Sequence, residues 1–523
     1  MDPFSMTHGE ELIELIEQNA PKQEDIIKEL YNSFNPAPIL EGVNYYFKES
    51  EIKQRQIMTV DESGSFVPDN EATNNKIASG FHKNLVDQKV AYLAGEPLVF
   101  SSKSDNKKTL ELVEELIGEE FEDVLPELIK NASNKGLEWL HPYVDEDGEF
   151  HYTIIPAEQF IPIYDLKKKK KLSVGIRFYP ISEDVTKLEV WTDEDVTYYE
   201  LIKDELVLDA NELVNPSPHF WQGDSGVSWG EVPFVEYANN EERVSDLHFV
   251  KDSIDAYDRL VSDGQNTLED MQSLIYVLKG YEGTDLAEFV TQLKRYKAIK
   301  LDGEDSSDVK TLRAEVPVDA YKTQSDKLKE NIYDFGQGVN PSPEVIGDAP
   351  SGVSLQNLYS LLDMKASIME RKFTLALRKF MWFIAEYARL SKRGDFDYRD
   401  ITFTFNKMIL TNEPEIVQMA RDSEGVISRT TILENHPWVK DVKLEKERLE
   451  EDNLLYGNDL EPLDPYERNA EEYNKKNKKA NQKQPGKNEE ICPECGGSGK
   501  VRSDVTDNMI QCKKCGGDGV ITR

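Results

Sequence analysis

Cysteine is almost missing from this chain: its 523 residues include four, all at or beyond Cys492. A disulfide framework running through the fold is thereby excluded, and the clustering points to one local site. Positive charge is scarce as well, with 62 Lys and Arg against 99 Asp and Glu and a formal net charge of −37. That balance argues against a sequence-reading nucleic-acid binder held by phosphate neutralisation. No apolar run reaches the ~18 residues of a membrane-crossing helix, and the N-terminus lacks a basic-then-apolar signal pattern, so a soluble, intracellular protein without a membrane partner is expected. Met1 to Ser5, ahead of a second Met6, reads as an added leader. The phosphate cradle of a P-loop motor is absent too: no G-x-x-x-x-G-K-[ST] occurs, and Gly499-Lys500 is followed by Val501.

What the chain does have is length, enough for three or four structural units at ~100–200 residues each. Its longest uninterrupted helical signal runs from Ser354 to Lys392 without Pro or Gly, and Leu358, Leu362, Met369, Phe373, Phe380, Ile384 and Tyr387 recur at helical spacing. At about 1.5 Å per residue this predicts a strut of roughly 58 Å. Gly336 to Gly352, just before it, is so dense in Gly and Pro that neither helix nor strand continues. A mobile loop therefore feeds a rigid strut.

Upstream, the spacing predicts two short helices between Glu10 and Phe34, broken at Pro21. A helix around Ile77 to Leu93 stops at Gly95-Glu-Pro97, a strand Leu98 to Ser101 follows, and one helix spans Leu110 to Asn134. Alternating patterns from Gly136 through Val207 read as β-hairpins, with Lys167 to Lys171 as a solvated tip rather than a phosphate patch. His141 and His151 flank a DEDG turn, but two histidines without a third ligand make a poor metal site. Gly223-Asp-Ser-Gly226 is only superficially like a serine-protease nucleophile segment, because Val227 stands where the second glycine belongs and no His and Asp partners precede it in the required setting. It reads as a loop. Leu247, Val250, Ile254, Tyr257, Val261, Gly264, Leu268 and Met271 recur by three and four, a seam suited to neighbouring helices, while Asp252, Arg259, Asp263 and Asp270 fall on a different stripe. Such a helix suits a wall between neighbours and a channel. Ser273 to Tyr321 then reads as a compact α/β insertion with an acidic loop that carries Glu304 and Asp305. Helix returns from Lys322 to Gln337; after Gly394 come a strand, two or three helices and, from Asp459 to Glu490, a polar, low-complexity linker.

The order of a GVNYY segment, an NNKI helix start, VDQKVAYLAGEP, an acidic N-N turn in YANNEE and a DAYD helix resembles the portal proteins of long-tailed bacteriophages, particularly the siphophages of Gram-positive hosts. The resemblance extends from about Gly42 to Leu455. It implies an α+β portal fold: an α/β wing over residues 6–240, a first stem helix at 241–272, a small α/β clip at 273–321 and a second stem helix at 322–337. A tunnel loop at 338–353, a long wing helix and strand at 354–412 and a helical crown at 413–458 complete it. The family's function would then be a dodecameric ring at a capsid vertex, through which double-stranded DNA passes without sequence preference during packaging and ejection. No enzymatic activity is expected of the chain. Implied partners are further copies of the chain, the terminase large subunit, a head-completion adaptor, and the major capsid and scaffolding proteins, in the virion and in the host cytoplasm during assembly. Asn340, Ser342, Glu344, Val345 and Asp348 are the tunnel-loop candidates for facing DNA; Asp252, Arg259, Asp263 and Asp270 are the stem-lumen candidates; Glu304 and Asp305 are candidates for docking at the clip. Twelve copies would set on the order of −440 charges around a polyanion, which discourages sticking.

The tail departs from that pattern. After a linker at 459–490, residues 491–523 carry Cys492-Pro-Glu-Cys495 and Cys512-Lys-Lys-Cys515, two C-x-x-C pairs at zinc-ribbon spacing. Each continues as C-x-x-C-x-G-x-G through Gly497 and Gly499, or Gly517 and Gly519, and so resembles the cysteine-rich repeats of DnaJ-type chaperones. Four thiolates with no open position predict one structural, non-catalytic Zn2+ per chain. A zinc-dependent co-chaperone or assembly scaffold is the alternative function, but it leaves most of the chain without a role and lacks an H-P-D signature. A nuclease or protease of the packaging machinery lacks a metal-carboxylate or triad constellation.

Overall fold

The structure, a computed structural model, describes residues 3–17, 23–61, 63–70, 72–165, 171–270, 275–279, 308–312, 318–342, 352–407, 413–434, 436, 438–439, 442–456, 489–496, 498–502, 509–516, 518 and 520–522. It divides into two units, Met1–Asn412 and Glu413–Arg523.

The first unit opens with helices α1 (Pro3–Glu17), α2 (Gln23–Ser33) and α3 (Ala37–Tyr46). α1 and α2 are the pair expected on either side of Pro21, with α1 beginning at Pro3 rather than at Glu10. α3 was not expected: its GVNYY segment lies flat on a neighbouring helix, and a Cβ at Gly42 would sit 2.0 Å from the carbonyl oxygen of Asn134. Only glycine permits that approach. Strands β1 (Met58–Val60) and β2 (Phe66–Pro68) form a hairpin, and an extended stretch then leads into α4 (Phe81–Ala94) and β3 (Val99–Ser102). Ile77 precedes that helix rather than starting it.

The single helix expected from Leu110 to Asn134 is two, α5 (Lys107–Ile117) and α6 (Phe121–Lys135). The break is Gly118 at φ 70°, a left-handed position that a side chain resists. Asn106 caps α5 by accepting from the Thr109 amide.

β4 (Leu137–Val144), β5 (Phe150–Ile155) and β14 (Val235–Ala238) make a sheet in the order β14-β4-β5. An antiparallel meander follows β5: β6 (Phe160–Asp165), β7 (Lys171–Pro180), β8 (Val185–Trp191), β9 (Asp195–Ile202) and β10 (Glu205–Leu208), with β11 (Ser217–Pro218) on β9. β6 and β7 pair as a hairpin whose tip, residues 166–170, lies outside the described residues. Of Gly223-Asp-Ser-Gly226, expected as a loop, Gly223 and Asp224 make the turn between β12 (Phe220–Gln222) and β13 (Ser225–Val227), while Ser225 and Gly226 pair within β13. Leu12, Ile26, Ile27 and Leu30 of the N-terminal helices pack on Ile161, Ile163, Val174, Ile176 and Leu188 of the meander.

Helix α7 (Lys251–Asp270) leads to β15 (Ile275–Lys279), which pairs antiparallel with β16 (Asp308–Leu312); α8 (Val318–Phe335) then returns beside α7. α8 begins four residues before the expected Lys322. α9 (Gly352–Leu390) is the anticipated strut, 39 residues in one helix, or roughly 58 Å. One face, through Leu362, Ala366, Met369, Phe373, Leu377, Phe380 and Ile384, enters the largest core with α5, α6 and the β14-β4-β5 sheet. β17 (Ile401–Thr404) closes the unit by pairing with β3; it is shorter than the alternating sequence suggested, because Tyr398–Asp400 is a 3₁₀ turn.

In the second unit, α10 (Glu413–Asp422), α11 (Arg429–Glu434) and α12 (Val442–Tyr456) precede two small antiparallel strand pairs. β18 (Glu489–Ile491) pairs with β21 (Val520–Thr522), and β19 (Lys500–Arg502) with β20 (Met509–Gln511). Among the described residues, no helix is long and apolar enough to cross a membrane.

Candidate functional site

α7 is held by a polar row that the sequence reading missed. Asp258, Ser262 and Asn266 stand four residues apart on one buried face of the helix. They accept from the backbone amides of Ser79, Ile77 and Asn75 at 2.9, 3.0 and 2.8 Å. Alternate amides of an extended chain repeat about every 6.6 Å, and every fourth helical residue rises about 6 Å. The two periods match, so an extended segment is zipped antiparallel onto a helix. Tyr45 adds a 2.6 Å hydrogen bond to Asp255, and Ser50 donates to Asp258 at 2.7 Å. Burial first, then the Asp255 hydrogen bond, pushes the Tyr45 hydroxyl well above its ordinary pKa.

Just before α7, Asp246 forms ion pairs with Lys89 of α4 at 2.7 Å and with Lys365 of α9 at 2.9 Å. Asn239 joins them: its carbonyl accepts from Lys89 at 2.7 Å and its amide donates to Asp246 at 2.9 Å. Burial alone would raise the Asp246 carboxyl, but Lys365 and Lys89 override it and hold the group far below the usual carboxylate range. Lys365 also donates to the Gly336 carbonyl at 2.9 Å, which ties the end of α8 to the strut. Gln88 clamps the next step. Its amide donates to the Val339 carbonyl at 2.8 Å, and its oxygen accepts from the Val339 amide at 2.9 Å.

These contacts revise the reading of the glycine-rich loop. A Cβ at Gly336 would lie 2.5 Å from Leu85 Cδ1, and one at Gly338 would lie 2.2 Å from Leu85 Cδ2. Neither glycine adopts a left-handed φ. Their smallness seats the start of the loop on α4, so residues 336–342 are anchored rather than free. Asn340 accepts from the Ser342 amide at 3.1 Å and from its hydroxyl at 2.7 Å. Glu344, Val345 and Asp348 lie outside the described residues.

Of the charged stripe on α7, Asp252 and Arg259 are exposed, whereas Asp263 meets Arg55 at 2.5 Å. Asp270 ends the helix, and its side chain is outside the described residues. Along the expected seam Leu247, Val250 and Ile254 are buried within this chain, whereas Leu268 is exposed. Of the α/β insertion expected at Ser273 to Tyr321, strands β15 and β16 are described and pair antiparallel, while Glu304 and Asp305 are outside the described residues. His141 donates its Nδ1–H to the Pro233 carbonyl at 2.6 Å and stacks on Phe234, whereas His151 pairs with Asp145; the two rings flank Tyr143 but share no hydrogen-bond partner among the described residues.

In the second unit, Cys492, Cys495, Cys512 and Cys515 bring their Sγ atoms within 4.8 Å of one another. Cys492 and Cys512 are 3.9 Å apart and Cys495 and Cys515 3.6 Å, too far for disulfides at ~2.05 Å. Tetrahedral Zn–S bonds of ~2.3 Å put sulfurs about 3.8 Å apart, so the four residues fit a metal ion. Cys492 and Cys512 are fully buried, and Gly496, Gly499 and Gly516 take left-handed φ of 55°, 70° and 62° at the knuckles. Gly497, Gly517 and Gly519 are outside the described residues.

A family model described as phage portal protein, SPP1 Gp6-like, matches residues 37–453. The portal protein of Bacillus phage SPP1 is 40% identical over 466 residues, spanning 87% of this chain and 92% of that protein. The portal protein of Clostridium phage phiCD119 is 34% identical over 437 residues, spanning 80% of this chain and 93% of that one. A chain from the neck of a native GTA particle computed with C12 symmetry aligns at a TM-score of 0.36 and 13% identity, over 67% of this chain and 88% of that one, a likeness too remote to carry an argument.

Proposed function

This chain belongs to the SPP1 Gp6-like phage portal protein family, and from that premise we propose that twelve copies form the DNA channel at one capsid vertex. Portal proteins are structural, ring-forming components of the virion at the head-tail connection. The family match over 37–453 is the observation that carries the reading. In it, residues 6–240 are the wing, 241–272 and 322–337 the stem helices, 273–321 the clip, 338–353 the tunnel loop, 354–412 the long wing helix and strand, and 413–458 the crown, which 459–490 link to a zinc module at 491–523. The return of α8 beside α7 supports a paired stem, and the β15–β16 hairpin between them supports a clip.

The ring assembles in the host cytoplasm, docks the terminase large subunit and later the head-completion adaptor, and meets the major capsid and scaffolding proteins. DNA passes without sequence preference, because an acidic chain with 99 Asp and Glu repels rather than grips it. Asp252 and Arg259, exposed on α7, suit the lumen, whereas the pairing of Asp263 with Arg55 weakens its candidacy. The anchoring of residues 336–342 fixes the start of the tunnel loop, whose Glu344, Val345 and Asp348 stay candidates for facing DNA. The chain catalyses no reaction; it gives a motor something to push against. The tail holds one zinc on its four cysteines, where the ion would supply cross-linking of two knuckles and no chemistry.

The experiment is packaging into procapsids built with this chain, with purified motor, read as nuclease-protected DNA. Wild type should package, and Glu304→Lys with Asp305→Lys should lose packaging while rings persist. Protected DNA in procapsids that lack the chain would overturn the function; loss of rings in the double variant would make the clip an assembly surface.

A further inference from the structure

Among the described residues the β1–β2 hairpin pairs with no other strand. Met58 lies opposite Pro68 and Val60 opposite Phe66, so these four side chains share one face. All four are exposed, Phe66 at 76%. An isolated two-stranded hairpin is marginal in water, and an open apolar face on one is a pairing hazard. Something has to cover it.

The strut α9 offers the matching surface. Opposite its buried face, Met364, Ile368 and Leu375 form a second apolar stripe, with Leu375 59% exposed. Arg371 and Arg378 lie on the same stripe, both exposed, and neither makes an ion pair among the described residues. The hairpin turn is of opposite sign: the sequence there carries Asp61 and Glu62. Side chains two apart on a strand repeat at about 7 Å, and Met364 to Ile368 rises about 6 Å. Apolar spacing and rim charge therefore agree.

We infer that the β1–β2 hairpin of one subunit packs on the Met364, Ile368 and Leu375 stripe of the next copy, with its acidic turn toward Arg371 and Arg378. The two surfaces differ, so the contact is heterologous, and repetition of such a contact closes into a ring when its rotation is a whole fraction of a turn. The inference rests on the ring reading and names the surfaces that close it. It also accounts for a helix apolar on two opposite faces, one inward to its own core and one outward to a neighbour.

A Val60→Cys, Ile368→Cys double variant tests it, with the four native cysteines retained and each single variant as background. Mild oxidation of purified rings should give a ladder of covalent multimers on non-reducing gels, absent from both singles. Intact rings of the double variant without a ladder, or dimers from Val60→Cys alone, would overturn the inference and leave the portal reading standing. Wild-type chain that forms no ring would overturn both. Phe66→Ser provides a check free of new cysteines. It should raise the concentration at which rings dissociate about tenfold, with monomer unfolding unchanged, and an unshifted dissociation would count against the contact.

Discussion

Gln88 hydrogen-bonds both backbone polar groups of Val339, at 2.8 and 2.9 Å, across 251 residues of chain. A side-chain amide that satisfies an amide and a carbonyl together fixes the position of a strand-like segment as a ladder would. Gln88→Leu keeps the size and removes both bonds, leaving two backbone groups short of partners at about 1–3 kcal/mol each. Amide exchange around residues 336–342 should speed up while α9 stays protected. Unchanged exchange there would mean that Leu85 packing alone holds the segment.

The Lys89–Asp246–Lys365 cluster makes a second test. Asp246→Asn leaves two buried ammonium groups facing a neutral amide, and breaking such a buried pair costs about 3–5 kcal/mol. A fall of that size in denaturant unfolding is expected. Lys365→Met should cost less, because Asp246 keeps Lys89 and the lost contacts are one ion pair and the Gly336 carbonyl. Equal costs would contradict the placement of Asp246 at the centre.

Stability should fall on mild acidification. Burial lowers His82 from 6.5 to about 4 and His141 from 6.5 to about 3. Between those values and 6.5 the unfolded chain binds more protons, so the stability is present above 6.5 and is lost as pH falls through this window. At pH 5 the loss is about 2 kcal/mol for each group. Glu138 works the other way: burial raises it to about 7 despite Lys135, and its contribution, present below the ordinary 4.5, is lost as pH rises through 7. His141→Gln should flatten the change in unfolding free energy between pH 7 and 5 by about 2 kcal/mol. Parallel profiles for wild type and variant would refute the assignment.

Metal analysis tests the tail. Wild-type chain should carry about one zinc, and Cys495→Ser should lose it with rings intact, since the four thiolates lie in the unit Glu413–Arg523 and not in the one that carries α7, α8 and α9. Metal-free wild type would remove the zinc, and a variant unable to assemble would give the tail a part in the ring.

The strut was legible because an uninterrupted 3.6-residue pattern has no competing reading, and the cysteines because their spacing is itself the constraint. The zipper on α7 was not. Asp258, Ser262 and Asn266 look in sequence like the solvated side of an amphipathic helix, and their partners lie 179 to 191 residues away. Gly336 and Gly338 misled for a related reason: a glycine needed for close packing against Leu85 reads in sequence like one needed for motion. Gly118 failed as a break signal because apolar spacing carried on past it into α6. In each case the deciding neighbour is distant in the chain, and local pattern carries no record of it.

The central claim is a ring with a channel, and imaging purified particles face-on in negative stain tests it most directly. Twelve-fold rings with a stain-filled central hole are the predicted result. Monomers or dimers at the same concentration, without rings, would contradict the account.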